Sequence, residues 1–275
     1  MADRAHSTVD EGEIERFSRI AEEWWDPKGK FAPLHRLNPV RLGYIRDRAA
    51  AHWQRDPLGG SPLEGLSLLD IGCGGGLLCE PATRLGAAVT GIDAADRNIA
   101  TARLHAERQG LAIDYREATA EALTAEGRQF DIVLALEIVE HVADVDLFLK
   151  SCGRLAKPGG LVFLSTLNRT AKAWALAIAG AEYMLRWLPR GTHDWRKFLK
   201  PSEVVRGLRM GGVEAQEIVG VVYSPLSRAW SLNARDLAAA AHGAANQGFL
   251  LLTLVGLAVL EPALELMALG AAQSV

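Results

Sequence analysis

Residues 135–142 read ALEIVEHV, which places Glu137, Glu140 and His141 within five positions of one another among apolar neighbours. Two carboxylates and an imidazole at this spacing admit three kinds of chemistry. On a helix, positions i, i+3 and i+4 share one face, and such a trio suits Mg2+ or Mn2+, with water or substrate oxygens completing the coordination. His141 alone is a candidate general base. Acids in a first helical turn also stabilise the helix dipole, by about 0.3–1 kcal/mol, with no ligand present.

A second cluster lies upstream. LLDIGCGGGLL, residues 68–78, carries Gly72, Gly74 and Gly76 directly after an apolar run. Glycine there lets the backbone approach a nucleotide-like ligand and is expected to turn amides into the crevice. Asp93 lies 21 residues beyond Gly72 and ends the next apolar run. A carboxylate at that place can accept both ribose hydroxyls of a dinucleotide or of S-adenosylmethionine. Spacing separates the two. The dinucleotide loop is Gly-x-Gly-x-x-Gly, and counted from Gly72 or from Gly74 its last glycine falls on Leu77 or Cys79. An acid, Asp70, followed by Gly-x-Gly-x-Gly is the methyltransferase form.

These residues need a scaffold, and the surrounding pattern supplies one. Short apolar strands are expected at 66–72, 87–93, 112–118, 130–136 and 161–167, separated by helical stretches, one of which ends at Gly110. Such alternation predicts an α/β fold with a mostly parallel twisted sheet and helices on both faces. In that architecture ligands bind outside the carboxyl ends of the strands, where Asp93, Leu136 and the acids after it would fall. Residues 1–60 form an N-terminal helical cap: a helix over 11–25, broken at Pro27 and Gly29, and another restarting near Pro39. The sheet domain spans 61–236 and includes a short helix ending at Gly211 and a sixth strand at 214–225.

Composition bounds the rest. With 275 residues and 49% hydrophobic content the chain can bury one large core. A net charge of −3 argues against nucleic acid as partner, because phosphate binding needs a basic excess. Cys73, Cys79 and Cys152 form an odd set without metal-ligand spacing and read as reduced thiols, Cys73 as a small packing residue. No apolar secretory signal is seen at the N-terminus. Segment 171–198 is apolar, contains Trp174 and Trp187 and is basic at both ends, the composition of a membrane-interface helix. The tail, 237–275, turns Ala-rich and then apolar. Its uncharged run from Phe249 to Leu260 is short of the roughly 20 residues of a membrane span, and a helix packed on the protein or membrane is expected.

Several stretches together resemble the ubiquinone-biosynthesis O-methyltransferases: WWDPKGKFAPLHRLNPVRLGYI, the glycine loop through GID, LEIVEHV, KPGG, STLNRT and GAEYMLRWLPRGTHDWRKFLKP. The glycine loop and KPGG are widespread among methyltransferases, whereas the Trp-Trp and STLNR…GTHD segments are particular to this family. The resemblance spans roughly residues 13–236 and implies the class I methyltransferase fold. It also implies methyl transfer from S-adenosylmethionine to a hydroxyl of a polyprenylated catechol or quinol. Residue by residue, it implies that Arg41 contacts the cofactor carboxylate, Gly72 and Gly74 its aminoacyl end, Asp93 its ribose and Leu136 the cofactor through its backbone. Thr119 and Ala120 fall where adenine would lie. Glu137, Glu140 and His141 would hold a divalent ion, Mg2+ by expectation, with His141 and Glu137 in the catalytic roles.

A substrate of that kind dissolves in a bilayer. The expectation is therefore a cytoplasmic protein touching the inner face of the cytoplasmic membrane through 171–198, with a quinone-making assembly as a further partner. The tail departs from the family, whose last strand begins Asp-Val-Asn-Tyr and completes the sheet. Two other readings stand beside this one: a class I methyltransferase for another small phenol or lipid, and a cofactor-binding subunit made inactive by its altered tail. A nicotinamide-dependent dehydrogenase ranks last.

Overall fold

The computed structural model describes residues 8–18, 21–167, 198–224, 229–233 and 248–254. Eight strands are described: β1 (Ser67–Ile71), β2 (Ala88–Asp93), β3 (Asp114–Glu117), β4 (Phe130–Leu136), β5 (Ala156–Leu167), β6 (Glu214–Ser224), β7 (Ala229–Asn233) and β8 (Gly248–Leu254). They form one sheet in the order β3-β2-β1-β4-β5-β8-β6-β7. Every pairing is parallel except that of β7 with β6. The α/β reading holds.

The apolar strand runs follow from burial on both faces. Along β4, Ile132 and Leu134 point to one core with Leu68 and Phe163, while Val133 and Ala135 point to the other with Leu69, Val162 and Leu164. Helix α2 (Ala32–His52) closes the first face with Leu37, Tyr44, Ile45 and Ala49. Helices α6 (Val145–Leu155) and α7 (Pro201–Met210) close the second with Phe148, Leu149, Val204 and Leu208. Between the strands run α3 (Cys79–Arg84), α4 (Asp96–Arg108) and α5 (Ala120–Ala125), after a first helix α1 (Glu11–Ser18). The three cysteines are buried free thiols.

Three expectations need correction, and one strand was not expected. Helix α2 starts at Ala32, with Pro33 in the first turn, so Pro39 lies inside it. Pro33 already supplies the fixed φ and missing N–H that suit a helix start. The KPGG turn belongs to β5, which runs from Ala156. The edge strand β7 went unforeseen. Finally, the tail run expected to be helical contains the strand β8, in the interior of the sheet. It pairs with β5 from Leu161↔Gly248 to Leu167↔Leu254, and with β6 from Glu214↔Gly248 to Gly220↔Thr253. GFLLLTL fills the place between β5 and β6. A continuous apolar run cannot be told from a buried helix by periodicity alone; here the gap between β5 and β6 decides it.

Segment 171–198, expected to meet a membrane, lies outside the described residues except for Phe198, which is buried in the first core. Among the described residues no helix is long and apolar enough to cross a membrane.

Candidate active site

The glycine loop joins β1 to α3. Gly72 and Gly74 adopt φ of 72° and 54°, conformations that L side chains rarely enter. A Cβ at Gly72 would stand 2.8 Å from Ile138, and one at Gly74 would run into the indole of Trp24. The loop amides are already engaged: Gly72 and Cys73 donate to the Ile92 carbonyl at 2.8 and 2.9 Å, Gly74 to Asp93 Oδ2 at 2.9 Å, and Gly76 to the Cys73 carbonyl at 2.9 Å. The expectation that these amides point into the crevice is therefore corrected. They tie the loop to the end of β2.

That end carries Asp93. Its Oδ1 accepts from the Ala95 N–H at 2.8 Å and the Asn98 side-chain amide at 3.2 Å, while Oδ2 accepts from Gly74. Burial raises its pKa, against the lowering effect of these donors. Asp70, one residue from the end of β1, is 4% exposed and accepts from Cys79 Sγ at 3.3 Å. Burial, with the Asp93 charge adding to it, pushes its pKa up from 3.8 to about 7, although Cys79 and Arg41 act the other way. The unfolded chain releases this proton near 3.8 and the folded one near 7. Between those values folding takes up a proton, so stability falls as pH rises, by a total on the order of 4 kcal/mol. Asp70→Asn is expected to raise the melting temperature clearly at pH 8 and much less at pH 5, as thermal melts at both values would show. Equal shifts at both would remove Asp70 as the source.

Beyond β4 the chain turns sharply. Glu137 has φ of 56° and donates its N–H to the Ser165 carbonyl at 3.1 Å. Only Val139–His141 is helical, as a single 3-10 turn. Glu137 therefore lies outside the helix, and the shared face expected for Glu137, Glu140 and His141 does not form. The two carboxylates instead reach neighbouring residues of β5, Glu137 also α2, and His141 reaches α1. Glu137 Oε1 accepts from Ser165 Oγ at 2.7 Å and pairs with the Arg41 guanidinium of α2 at 2.8 Å. Glu140, 4% exposed, accepts from Thr166 Oγ1 at 3.2 Å. His141 Nδ1 faces Glu13 Oε2 of α1 at 3.4 Å. Burial and then the Glu137 charge raise the Glu140 pKa, and burial lowers that of Arg41 against the pull of Glu137 and Glu140.

Two consequences follow for ligands. Among the described residues no group of three or more His, Cys, Asp or Glu is placed to hold a metal ion. The trio does not fit Mg2+ in this geometry, because its polar atoms are turned to Arg41, Ser165, Thr166 and Glu13. The site does fit S-adenosylmethionine, whose sulfonium and ammonium outweigh its carboxylate: Glu137, Glu140 and Asp70 lie near the buried cation Arg41, and Asp93 lies close to Asp70. Leu136 ends β4 at 8% exposure, and Thr119 caps α5, accepting from the Ala122 N–H at 3.3 Å. Sequence reasoning missed Trp24, Asn98, Glu13 and Ser165 as individual site residues. Asn98 alone left a signal, as an amide one turn beyond the strand-end acid.

Comparison with known proteins gives the family. The family described as Methyltransferase domain matches residues 69–164. The chain is 57% identical over 237 residues to the ubiquinone biosynthesis O-methyltransferase of Chelativorans sp. (strain BNC1), covering 86% of this chain and 93% of that protein. It is 56% identical over 233 residues to the enzyme of the same name from Sinorhizobium medicae (strain WSM419), covering 85% and 94%. Among solved structures it is similar to magnesium protoporphyrin IX methyltransferase from Synechocystis PCC 6803, at 20% identity and TM-score 0.48, covering 73% of this chain and 84% of that one. A methyltransferase sheet with its loop and strand-end acids in place, and identity above half over most of both lengths, have one outcome: the chain belongs to the ubiquinone biosynthesis O-methyltransferase family and is an S-adenosylmethionine-dependent O-methyltransferase.

Proposed function

We propose that this chain methylates the hydroxyl of polyprenylated catechols, 3-demethylubiquinol and 2-polyprenyl-6-hydroxyphenol, on the way to ubiquinone. The observation that carries the reading is the meeting of Arg41, Glu137, Glu140 and His141 beside the glycine loop, in a chain whose relatives bear that name. S-adenosylmethionine supplies an activated methyl group, so the protein has only to align the acceptor and take its proton. Arg41 holds the cofactor carboxylate, Asp93 the ribose, and Gly72, Gly74 and the Leu136 backbone line the rest of the cofactor. Glu137 and Glu140 would supply negative charge to favour the sulfonium. The S–CH3 bond breaks as the O–CH3 bond forms, and the phenolic proton passes to His141, whose protonated ring is stabilised by Glu13. No covalent intermediate is needed.

Mg2+ at Glu137, Glu140 and His141 stands outside this proposal, since Glu137 would have to leave Arg41 to bind it. Peripheral membrane contact through 171–198, on the cytoplasmic side, and a quinone-making assembly as partner complete the reading. One assay tests it: methyl transfer from labelled S-adenosylmethionine to demethylubiquinol carried in anionic vesicles. Turnover is expected, with a drop of at least about tenfold in a Trp174→Glu/Trp187→Glu variant as vesicle contact is lost. A second run in EDTA decides the metal. Activity that survives chelation removes Mg2+ and leaves acid–base roles to the trio; cofactor binding with no turnover sinks the substrate assignment.

A further inference from the structure

We infer that Trp24 and Asn98 are positioning residues for the cofactor, and that through them the N-terminal segment holds the Asp93 carboxylate in the orientation its ribose contact needs. This rests on Asp93 as the ribose acceptor. Trp24 is 8% and Asn98 2% exposed, so neither is a surface residue. The Trp24 Nε1–H donates to Asn98 Oδ1 at 2.9 Å, and Asn98 Nδ2 donates to Asp93 Oδ1 at 3.2 Å.

The chemistry of the three groups makes the chain directional. An indole N–H only donates and a carboxylate only accepts, so the amide between them has one acceptable orientation. Without the indole donor, Asn98 Oδ1 loses its partner and the amide is held toward Asp93 from one side alone. Turned over, it would present an oxygen to a buried carboxylate.

The indole is itself held on several sides. It stacks on Phe31 with ring centroids 3.7 Å apart and lies against Gly74 and Gly75, where a Cβ at either position would run into it. The next residue, Trp25, donates to the Gly75 carbonyl at 2.9 Å and stacks on His105 at 3.5 Å. Farther back, Thr8 donates its N–H and hydroxyl to Glu121, at 2.8 Å for both the N–H···Oε1 and the Oγ1···Oε2 bonds, and its carbonyl accepts from Ala143. The N-terminal segment is thus tied across the carboxyl edge of the sheet. Gly74 and Gly75 answer to the chain's own tryptophan as well as to any ligand.

A purely structural tryptophan would show the same packing, so the test must separate affinity from stability. In the full-length chain, calorimetric binding of S-adenosylhomocysteine and thermal melts are compared for Trp24→Phe, Asn98→Leu and the double variant. Trp24→Phe keeps a ring on the glycines and loses only the donor. It is expected to weaken binding by about three- to tenfold, and Asn98→Leu by about tenfold. In the double variant no buried partner is left unsatisfied between the two positions, so the melting temperature recovers relative to the single variants. Affinity stays as low as in Asn98→Leu, a non-additive result that marks one linked pathway. Wild-type affinity in Trp24→Phe, or affinity that recovers together with the melting temperature, overturns the inference. Asp93→Ala is measured alongside: if that variant binds normally, the ribose assignment falls first, whereas its failure beside a normal Trp24→Phe condemns the relay alone.

Discussion

A chain ended at Gln247 is expected to yield no cooperatively folded protein. Such a truncation removes β8, which lies between β5 and β6 and pairs with both. The carbonyls and amides of Leu161–Leu167 would lose their partners on one side of β5, and those of Glu214–Gly220 on β6. A buried backbone group left unpaired costs about 1–3 kcal/mol, and several at once exceed the roughly 5–15 kcal/mol by which a domain is stable. Among the described strands, the β6–β7 ribbon would also lose the ladder that joins it to the rest of the sheet. Solubility and a circular-dichroism melt of the truncated chain check this directly. Leu251→Pro gives a milder version, because proline in a central strand deletes one ladder bond and finds no room for its ring. A truncated chain melting within a few degrees of the full one would show that β5 and β6 close without β8. Then the segment from Gly248 would be dispensable for folding.

The second large effect is expected at Arg41. Its guanidinium, 3% exposed, is paired with Glu137 at 2.8 Å and lies close enough to Glu140 and Asp70 to feel both. Arg41→Met keeps most of the buried volume and removes the charge, leaving a cluster of acids with no cation. Breaking a buried pair from one side typically costs about 3–5 kcal/mol, which for a chain of this size is a fall of roughly 10 °C in melting temperature. The loss should be greater at pH 8 than at pH 5. Glu140 and Asp70 already hold raised pKa values, and without Arg41 they rise further, so at pH 5 protonation relieves the uncompensated charge. If Arg41 holds the cofactor carboxylate as proposed, affinity for S-adenosylmethionine should drop by about 30-fold or more. Arg41→Lys separates charge from fork: it should regain most of the stability and less of the affinity. Calorimetry and melts at the two pH values measure all three. Unchanged affinity in Arg41→Met would remove Arg41 from the cofactor site while leaving its role in stability.

Much of this protein was legible in the order of its residues. Strands bury both faces, so their apolar runs stand out, and β4 appears over the same seven residues, 130–136, in sequence and structure. The loop from Asp70 to Gly76 and the acid at Asp93 were legible because a tight turn and a strand end restrict residue type locally. What lay beyond the sequence is whatever depends on a partner far along the chain. Glu137 was expected on a helix face; its left-handed backbone and its contact with Ser165 come from β5, 28 residues away, and its charge partner from α2. Trp24 stood out only as part of a segment particular to the resembled family, and its N–H finds its partner in Asn98, 74 residues on. The tail shows the same division most plainly. Its apolarity announced burial, but helix or strand was left to the vacancy between β5 and β6, because unpaired edges of neighbouring strands impose extended geometry on whatever apolar segment reaches them.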